Sequence, residues 1–340
     1  MKAVILRCTP GGMFHFGRYA PDSDTALNET SDIIHSDTLF SGLVNIYADQ
    51  YGNAEDFVSC FENESVSISS AFFCLQQGST YVWFLPKPLS FNLAEVNDTK
   101  SFKKIRFISS GLWNAISSPQ DIVGRNDVLV LQNSFALLNT EVTSIDEETR
   151  RRFRIYNPQN LPKVQVRKPT QEGSLYQLSV IEIADTSQLI ADMQAHYYFL
   201  MNETVEHRMK NRLKVVIELL GSQGIGGERS TIGQFEGIEF QDNWAVPQGD
   251  SDSSCALSLC VPKDNEVPMC EYYDTLFRGG RRLGDRGAYL KSVRMMREGS
   301  VVKTSVRGRI CDIKAPNYSG APYLRYGKVF TIPMKRSWTV

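Results

Sequence analysis

The sequence lacks the patterns that mark several common classes of protein. Its seven cysteines include no C-x-x-C pair, so neither a zinc site nor a disulfide framework is indicated, and free thiols in a reducing compartment are expected. No apolar run approaches the length of a membrane span, and the first ten residues turn polar too quickly for a signal peptide. We therefore expect a cytoplasmic chain with no membrane contact, no metal and no cofactor.

Basic residues are absent from one long region and concentrated in another. No lysine or arginine lies between Arg18 and Lys87, where acidic residues are frequent, whereas the region from Arg278 to the C-terminus holds fifteen basic residues and three acids. The net charge of −1 therefore conceals an acidic N-terminal region and a basic C-terminal region. This asymmetry indicates contact with a polyanion at the basic end, while two solvated faces of opposite sign explain the counts equally well.

The first half of the chain predicts alternating strands and helices. Apolar and β-branched runs predict strands at 2–8, 66–75 and 80–86. A helix is expected from Ser36, as its N-cap, to Tyr51–Gly52, with Leu39, Leu43 and Ile46 on its buried face. A further helical stretch is expected at 101–117. Residues 155–174 carry three prolines and no helical period, which indicates either a domain boundary or an extended hairpin arm.

The second half predicts the same order of elements. Strands are expected at 175–184 and 196–201, then a helix capped by Asn202 and ended by Gly221, then strands at 234–240 and 256–261. Repetition of strand, helix, strand, strand predicts an α+β fold with two ferredoxin-like domains in tandem. We place them at residues 1–154 and 155–340, with a glycine-rich loop at 221–233 in the second.

Residues 221–235, GSQGIGGERSTIGQF, contain five glycines. They follow a predicted helix and lead into a strand, and no lysine occurs between 215 and 262, so both a P-loop and a dinucleotide-binding loop are excluded. One interpretation makes Gly221 a helix cap and the remainder a tight turn. The other uses bare N–H groups as an anion nest beside the Arg229 guanidinium, which suits a nucleic-acid backbone.

Several motifs then carry a family resemblance. GIGGERSTIGQF after a long helix resembles the glycine-rich loop of the repeat-associated (RAMP) proteins of CRISPR systems. The motifs FHFG, IHSDTLFSGL, LPKVQVRKPT and REGSVV…YLRYGKVFTIP, at 14–17, 34–43, 161–170 and 297–333, resemble those of the fourth subunit of type III-A Csm effectors. The motifs occur in the right order and span the whole chain.

The resemblance implies an RNA-binding subunit without catalytic activity, built from two RRM-like ferredoxin folds. Such a subunit caps the 5′ end of the effector and holds the repeat-derived handle of the CRISPR RNA (crRNA). It also contacts the neighbouring RAMP backbone subunit and docks the large polymerase subunit. The usual RRM signature of alternating glycines and aromatics is absent here, so loops rather than a sheet face are expected to hold RNA.

The resemblance also implies which residues contact the RNA. In the loop these are Gly224, Gly226, Gly227, Glu228, Arg229, Ser230 and Thr231. Before and at the start of the first helix they are Phe14, His15, Phe16, Gly17, His35 and Ser36. On the arm they are Lys163, Arg167 and Lys168.

The residues themselves suggest further RNA contacts. Arg18 beside aromatic rings suits a stacked base, and the run at 278–282 adds Arg278, Arg281 and Arg282 as backbone contacts. The structural alternatives are core packing of at least one phenylalanine of FHFG and a solvated hairpin turn at 278–282.

The strongest rival function is a metal-independent endoribonuclease that processes CRISPR precursor RNA. It requires an acid–base pair, and the chain has four histidines, of which His196 is expected to be structural and His207 solvent-facing. His15 or His35 would then act in catalysis. However, such processing enzymes carry their glycine loop close to the C-terminus, whereas more than a hundred residues follow it here.

Two further alternatives are weaker. One is a backbone-subunit ribonuclease that uses Asp37, although such subunits are shorter. The other is a protein-binding scaffold, which leaves the basic C-terminal region unexplained. Because carboxylates repel phosphate, the acidic stretch from Asp22 to Glu64 is expected to face solvent or the large subunit rather than RNA.

Overall fold

A large mixed sheet forms the centre of the chain. The structure is a computed structural model and describes residues 1–17, 29–91, 96–143, 145–166, 173–280, 290–315, 318 and 320–338. No helix of these residues is long and apolar enough to cross a membrane.

Helices and strands are mixed as far as residue 223, and the described residues beyond it form strands without a further α-helix. The helices are α1 Ser36–Tyr51, α2 Glu55–Glu62, α3 Thr99–Lys104, α4 Ser110–Ala115, α5 Asp121–Gly124, α6 Glu147–Arg152 and α7 His207–Gln223. The first strands are β1 Lys2–Arg7, β2 Met13–Phe14, β3 Val66–Ile68, β4 Phe72–Gln77, β5 Thr80–Pro86, β6 Phe107–Ser109, β7 Val128–Leu131, β8 Phe135–Leu138, β9 Tyr156–Val166 and β10 Gly173–Ile183. They are followed by β11 Met193–Glu203, β12 Gly237–Gln241, β13 Ser253–Ala256, β14 Cys270–Tyr272, β15 Thr275–Arg278, β16 Val293–Met296, β17 Val301–Lys303, β18 Cys311–Asp312, β19 Leu324–Arg325 and β20 Thr331–Pro333.

The central sheet joins strands from both halves of the sequence. Among the described residues it has nine strands, in the order β12-β1-β11-β4-β5-β6-β8-β7, with β3 also paired to β11. Strand β1 pairs with β11 on one side, where Val4 faces Phe199, and with β12 on the other. Because β1 is covered on both faces, its apolar run is continuous rather than alternating.

One ferredoxin-like unit can be traced through this sheet. The order β1-α1-β4-β11-α7-β12 in the chain, with β12-β1-β11-β4 in the sheet, is that of the βαββαβ motif. The two helices pack against each other, and a Cβ on Gly42 of α1 would lie 3.1 Å from the Leu220 Cδ1 of α7. The predicted tandem arrangement is therefore not confirmed, since one sheet crosses the expected boundary at residue 154. The α+β class is confirmed.

The C-terminal part adds smaller sheets to the same hydrophobic core. Strands β14, β17, β13 and β20 form one sheet, while β15 with β16 and β18 with β19 form two-stranded pairs. Tyr326, which is fully buried, stacks on Phe40 of α1 at 5.3 Å between ring centroids. This contact fixes the C-terminal part against the first helix.

Helix boundaries depart from the prediction where tertiary pairing prevails over local signals. The expected cap Asn202 instead lies in β11, because it pairs with Ser67 of β3, and α7 begins at His207. The helix continues past Gly221 and ends at Gln223, with Gly224 as its C-cap at a φ of +74°. The predicted helix at 101–117 is interrupted by β6, which pairs with β5. Helix α1 and its buried face are confirmed, but its N-cap is His35 and the predicted cap Ser36 is the first helical residue.

Candidate functional site

The glycine-rich loop folds back onto the FHFG segment, residues 14–17, through main-chain hydrogen bonds. The Gly227 N–H donates to the His15 carbonyl at 2.9 Å, and the Gly233 N–H donates to the Met13 carbonyl at 2.9 Å. The Ile225 N–H closes the loop on the Gly233 carbonyl at 3.0 Å. Loop and FHFG segment therefore form one backbone unit.

The glycines allow the loop backbone to lie close to the backbone of the FHFG segment. Gly226 has a φ of +96°, and a Cβ there would lie 2.3 Å from the His15 carbonyl oxygen. Gly224 and Gly233 also have positive φ, and a Cβ on either would meet main-chain oxygen within 3 Å. Because the N–H groups of Gly224, Gly227 and Gly233 are already bonded to carbonyls, they cannot form the expected anion nest. That part of the prediction is wrong.

The remaining loop residues form an exposed tip, Glu228–Thr231. Glu228 has a φ of +59°, and its carbonyl accepts the Thr231 N–H at 2.9 Å. Within the described ranges, the N–H groups of Glu228, Arg229 and Ser230 donate to no protein acceptor, and the Arg229 guanidinium makes no ion pair. Three free N–H groups beside a free guanidinium are suited to an anion.

The side chains of the FHFG segment are core residues. Phe14 is fully buried and stacks on Phe235 at 5.0 Å, and Phe16 is 3% exposed and packs edge-on against Tyr197 at 5.8 Å. The buried His15 ring donates from Nδ1 to the Ser179 carbonyl at 2.7 Å. Base stacking on either phenylalanine is therefore wrong, because neither ring has a free face. Gly17 alone in the segment is exposed.

His35 and Ser36 also turn inward, where they join a buried polar network. His35 Nδ1 lies 2.8 Å from Glu298 Oε1, and the Ser70 hydroxyl donates to the same carboxylate. Burial alone would raise the pKa of Glu298, but the His35 charge and these hydrogen bonds hold it below its ordinary value. The Ser36 hydroxyl accepts the Leu259 N–H at 3.1 Å. Neither side chain is available to line an RNA surface.

Arg278 is a buried ion-pair residue rather than a backbone contact. Its Nε and Nη2 donate to the two Asp37 carboxylate oxygens at 2.8 and 3.0 Å, and Arg325 donates to the same carboxylate. Burial alone would raise the pKa of Asp37, but the two guanidiniums lower it well below its ordinary value. The expected exposed role of Arg278 is therefore wrong, and Asp37 is fully occupied.

Some of the N-terminal acids and C-terminal basic residues form ion pairs with each other. Besides Asp37, Glu64 pairs with Lys328 at 3.0 Å and with Arg307 at 3.4 Å. The acids that remain exposed on the first two helices are Asp49, Glu55, Asp56 and Glu62. The C-terminal basic residues are thus partly partners of N-terminal acids, which weakens charge counts as evidence for a polyanion.

The hairpin arm, β9 with β10, is confirmed as an extended structure. Its strand β10 pairs with β2, where Ile181 faces Phe14, so arm and glycine loop flank the FHFG segment. Half-buried Lys163 lies directly opposite Tyr176 in the ladder, which puts both side chains on one face. Tyr176 was not anticipated, although its place in an alternating strand was a signal. Several predicted contacts lie outside the described residues: Arg18, Arg167, Lys168, Arg281 and Arg282.

A cavity of about 440 Å³ lies beside the root of the arm and was also not anticipated. Its lining includes Asp32, Arg106, Asn160 and Ser179. Arg106 Nη2 donates to Asp32 Oδ1 at 3.0 Å. Burial alone would raise the pKa of Asp32, but Arg106 lowers it. Nothing in the local sequence distinguishes these residues, because their partners come from distant segments.

The other histidines behave as predicted. His196 is fully buried, accepts the Cys8 N–H on Nδ1 at 3.0 Å and lies 3.1 Å from Gln76 Oε1 through Nε2. Burial lowers its pKa to about 4. His207 is exposed at the start of α7 and bonds Asn211 at 3.0 Å.

The chain is similar to proteins of CRISPR systems over almost its whole length. Residues 249–334 match the family model described as the CRISPR Csm4 C-terminal domain. The CRISPR system Cms protein Csm4 of Methanocaldococcus jannaschii is 24% identical, covering 93% of this chain and 90% of that protein.

Solved structures show the same fold. A chain of the Csm3–Csm4 subcomplex in the type III-A CRISPR-Cas interference complex matches with a TM-score of 0.68 and 22% identity, over 98% of this chain and 99% of that one. A chain of the Csm1–Csm4 cassette in complex with pppApA matches with a TM-score of 0.53 and 20% identity, over 98% of both.

These findings agree with the motif resemblance found in the sequence. The fold is that of a chain of a type III-A CRISPR-Cas interference complex. The family model over residues 249–334, the relative and the structural match together support a Csm4 subunit of a type III CRISPR complex.

Proposed function

We propose that this chain is a non-catalytic subunit that caps the 5′ handle of the crRNA and docks the large polymerase subunit of the effector. The observation that carries the RNA-binding role is the loop tip, Glu228–Thr231, exposed and rigidly mounted on the FHFG segment. A mounted tip fixes the direction of its free N–H groups before RNA arrives, which lowers the entropic cost of binding.

The contacts expected from this surface are to the RNA backbone. The free N–H groups of the tip and the Arg229 guanidinium recognise phosphate oxygens, which carry no sequence information. On the other side of the FHFG segment, Lys163 supplies a second cation and Tyr176 a ring on which a base can stack. The Glu228 carboxylate opposes phosphate, so it points away from the bound strand in this proposal.

Burial of the candidate acid–base groups supports the non-catalytic part of the proposal. His15 and His35 are both less than a tenth exposed and are hydrogen-bonded within the chain. Asp37 is occupied by two arginines. An endoribonuclease needs such a group within reach of the 2′-hydroxyl of its substrate.

The similar structures support the choice of partners in this proposal. In them Csm4 is bound to Csm3 in one complex and to Csm1 in the other, and we take these as the counterparts of the RAMP backbone subunit and the large subunit. For this chain we assign the large subunit to the exposed acidic face of α1 and α2, since that face repels RNA and has charge left to pair.

Reconstitution of the effector tests the proposal. The complex is purified with and without this chain, and the 5′ ends of the bound RNA are sequenced. We expect intact handles only when the chain is present, because the cap protects them. Handles of equal length and abundance in both preparations would contradict capping.

Incubation of the isolated chain with precursor RNA tests the rival function. We expect no cleavage. Cleavage that is abolished in His15→Ala or His35→Ala would establish the endoribonuclease instead. A fold check by circular dichroism accompanies both variants, because both histidines are buried.

A further inference from the structure

We propose a second RNA-backbone site in a basic cleft at the root of the hairpin arm. The cleft has a volume of about 310 Å³ and is lined by four cations, Lys104, Arg150, Arg151 and Arg154. None of them belongs to the glycine-loop surface. The inference shares the class of ligand with the proposed function but not its residues.

Four separate elements build the cleft. Lys104 ends α3, Arg150 and Arg151 lie in α6, and Arg154 precedes β9. The turn between β7 and β8 supplies Gln132 and Asn133. Cations that are scattered through the sequence thus converge on one concavity, which charge counts along the chain do not reveal.

The cleft is tied to the arm by hydrogen bonds. The Gln132 amide donates to the Tyr156 carbonyl at 2.8 Å and accepts the Ile155 N–H at 2.9 Å, where β9 begins. Arg154 Nη1 donates to the Arg151 and Phe153 carbonyls at 2.8 and 2.7 Å, which fixes one edge of its guanidinium and leaves the other edge for a ligand. The cleft is therefore preorganised on the strand that carries Lys163.

The charge of the cleft is mostly uncompensated. Arg151 pairs with Glu147 at 2.6 Å, but Lys104, Arg150 and Arg154 have no carboxylate within ion-pair distance in the described part of the chain. All four cations are exposed. Cations held together without counter-ions repel one another, so a bound polyanion relieves that repulsion and releases counter-ions.

The lining favours a phosphodiester backbone over a protein surface. Its apolar residue, Val130, is half-buried, so the cleft has no aromatic or aliphatic anchor of the kind that carries protein interfaces. Guanidinium forks, an ammonium group and the exposed Asn133 amide instead match phosphate and ribose oxygens. We assign the cleft to single-stranded RNA bound through its backbone and without sequence preference.

Titration of the full chain with a fluorescein-labelled single-stranded oligouridylate, over a series of salt concentrations, tests this site. The double variant Lys104→Ala/Arg150→Ala removes two cations whose side chains have no hydrogen bond to the described protein, so the fold should persist. We expect roughly tenfold weaker binding in moderate salt, and a slope of log affinity against log salt that is shallower by about 1.4, for two lost phosphate contacts.

A charge-matched control separates the site from net charge. Arg152→Ala/Lys214→Ala also removes two exposed cations, which lie outside the cleft and whose side chains are 67% and 61% exposed. We expect a change in affinity of less than roughly twofold. Equal losses in the two double variants, or no loss in the first, would overturn the proposal. So would loss of large-subunit association with unchanged oligouridylate binding.

Repeating the titration in an Arg229→Ala background distinguishes this site from the glycine-loop tip. If the tip does not bind RNA, the Lys104→Ala/Arg150→Ala loss should still appear in full in that background. If the loss disappears there, the cleft does not bind on its own and the inference is wrong.

Discussion

The mounting of the glycine loop on the FHFG segment can be tested by Gly226→Ala. The substitution forces a non-glycine residue to a φ of +96° and puts its Cβ 2.3 Å from the His15 carbonyl oxygen. The backbone must then move, which breaks the 2.9 Å hydrogen bond from the Gly227 N–H to that carbonyl. The conformational penalty, the lost hydrogen bond and the overpacking together give a loss of roughly 3–5 kcal/mol in unfolding free energy.

The matched control is Gly78→Ala, in the turn between β4 and β5. Gly78 has a φ of +60°, but a Cβ there meets nothing within 4 Å. It should cost only the conformational penalty, about 1–2 kcal/mol. Urea unfolding followed by tryptophan fluorescence measures both losses. Equal losses in the two variants would show that the loop does not press against the His15 carbonyl, and the account of its glycines would fail.

Three further perturbations address the charged network, the pH dependence and the acidic face. Asp37→Asn leaves Arg278 and Arg325 buried without their counter-ion, so urea unfolding should show a loss of about 3–5 kcal/mol; a loss below about 1 kcal/mol would refute the pairing. Because burial lowers the folded pKa of His196 to about 4, against an unfolded value of about 6.5, the unfolded state takes up the proton first. Unfolding free energy should therefore fall by up to about 3 kcal/mol as the pH drops from about 6.5 to 4. His196→Gln should flatten that decline, and an unchanged slope would contradict the assignment. The last variant reverses three exposed acids, Asp49, Glu55 and Glu62. It should weaken co-purification with the large subunit and leave RNA affinity intact; the opposite pattern would show that the face was misassigned.

The sequence predicted elements well where local periodicity and tertiary packing agree. Helix α1 has its apolar residues at helical spacing, and the same residues are buried against α7 and the C-terminal part. The prediction was wrong at Asn202. This residue type is a good helix cap, but Asn202 lies in a strand and pairs with Ser67 of the neighbouring strand. The tandem-domain prediction was not confirmed because β1 pairs with a strand almost two hundred residues later, which no local pattern encodes.

The candidate site was predicted better as a set of segments than as individual side chains. Loop, FHFG segment and arm were each expected to contact RNA, and main-chain hydrogen bonds and strand pairing bring the three segments together. The role of the glycines was predicted wrongly. They leave room for the His15 carbonyl, and this contact joins segments that are distant in the sequence. Arg278 was misread for the same reason, since only the fold brings it to Asp37.

The affinity of Arg229→Ala for an RNA that begins with the 5′ handle tests the central claim most directly. Arg208→Ala is the control: Arg208 is an exposed arginine at the start of α7, and the helix runs about 24 Å from it to the end where the glycine loop begins. We predict that Arg229→Ala lowers affinity by about 1–3 kcal/mol and makes the salt slope shallower by about 0.7, whereas Arg208→Ala changes neither. Unchanged affinity and salt slope in Arg229→Ala would contradict RNA binding by the loop tip.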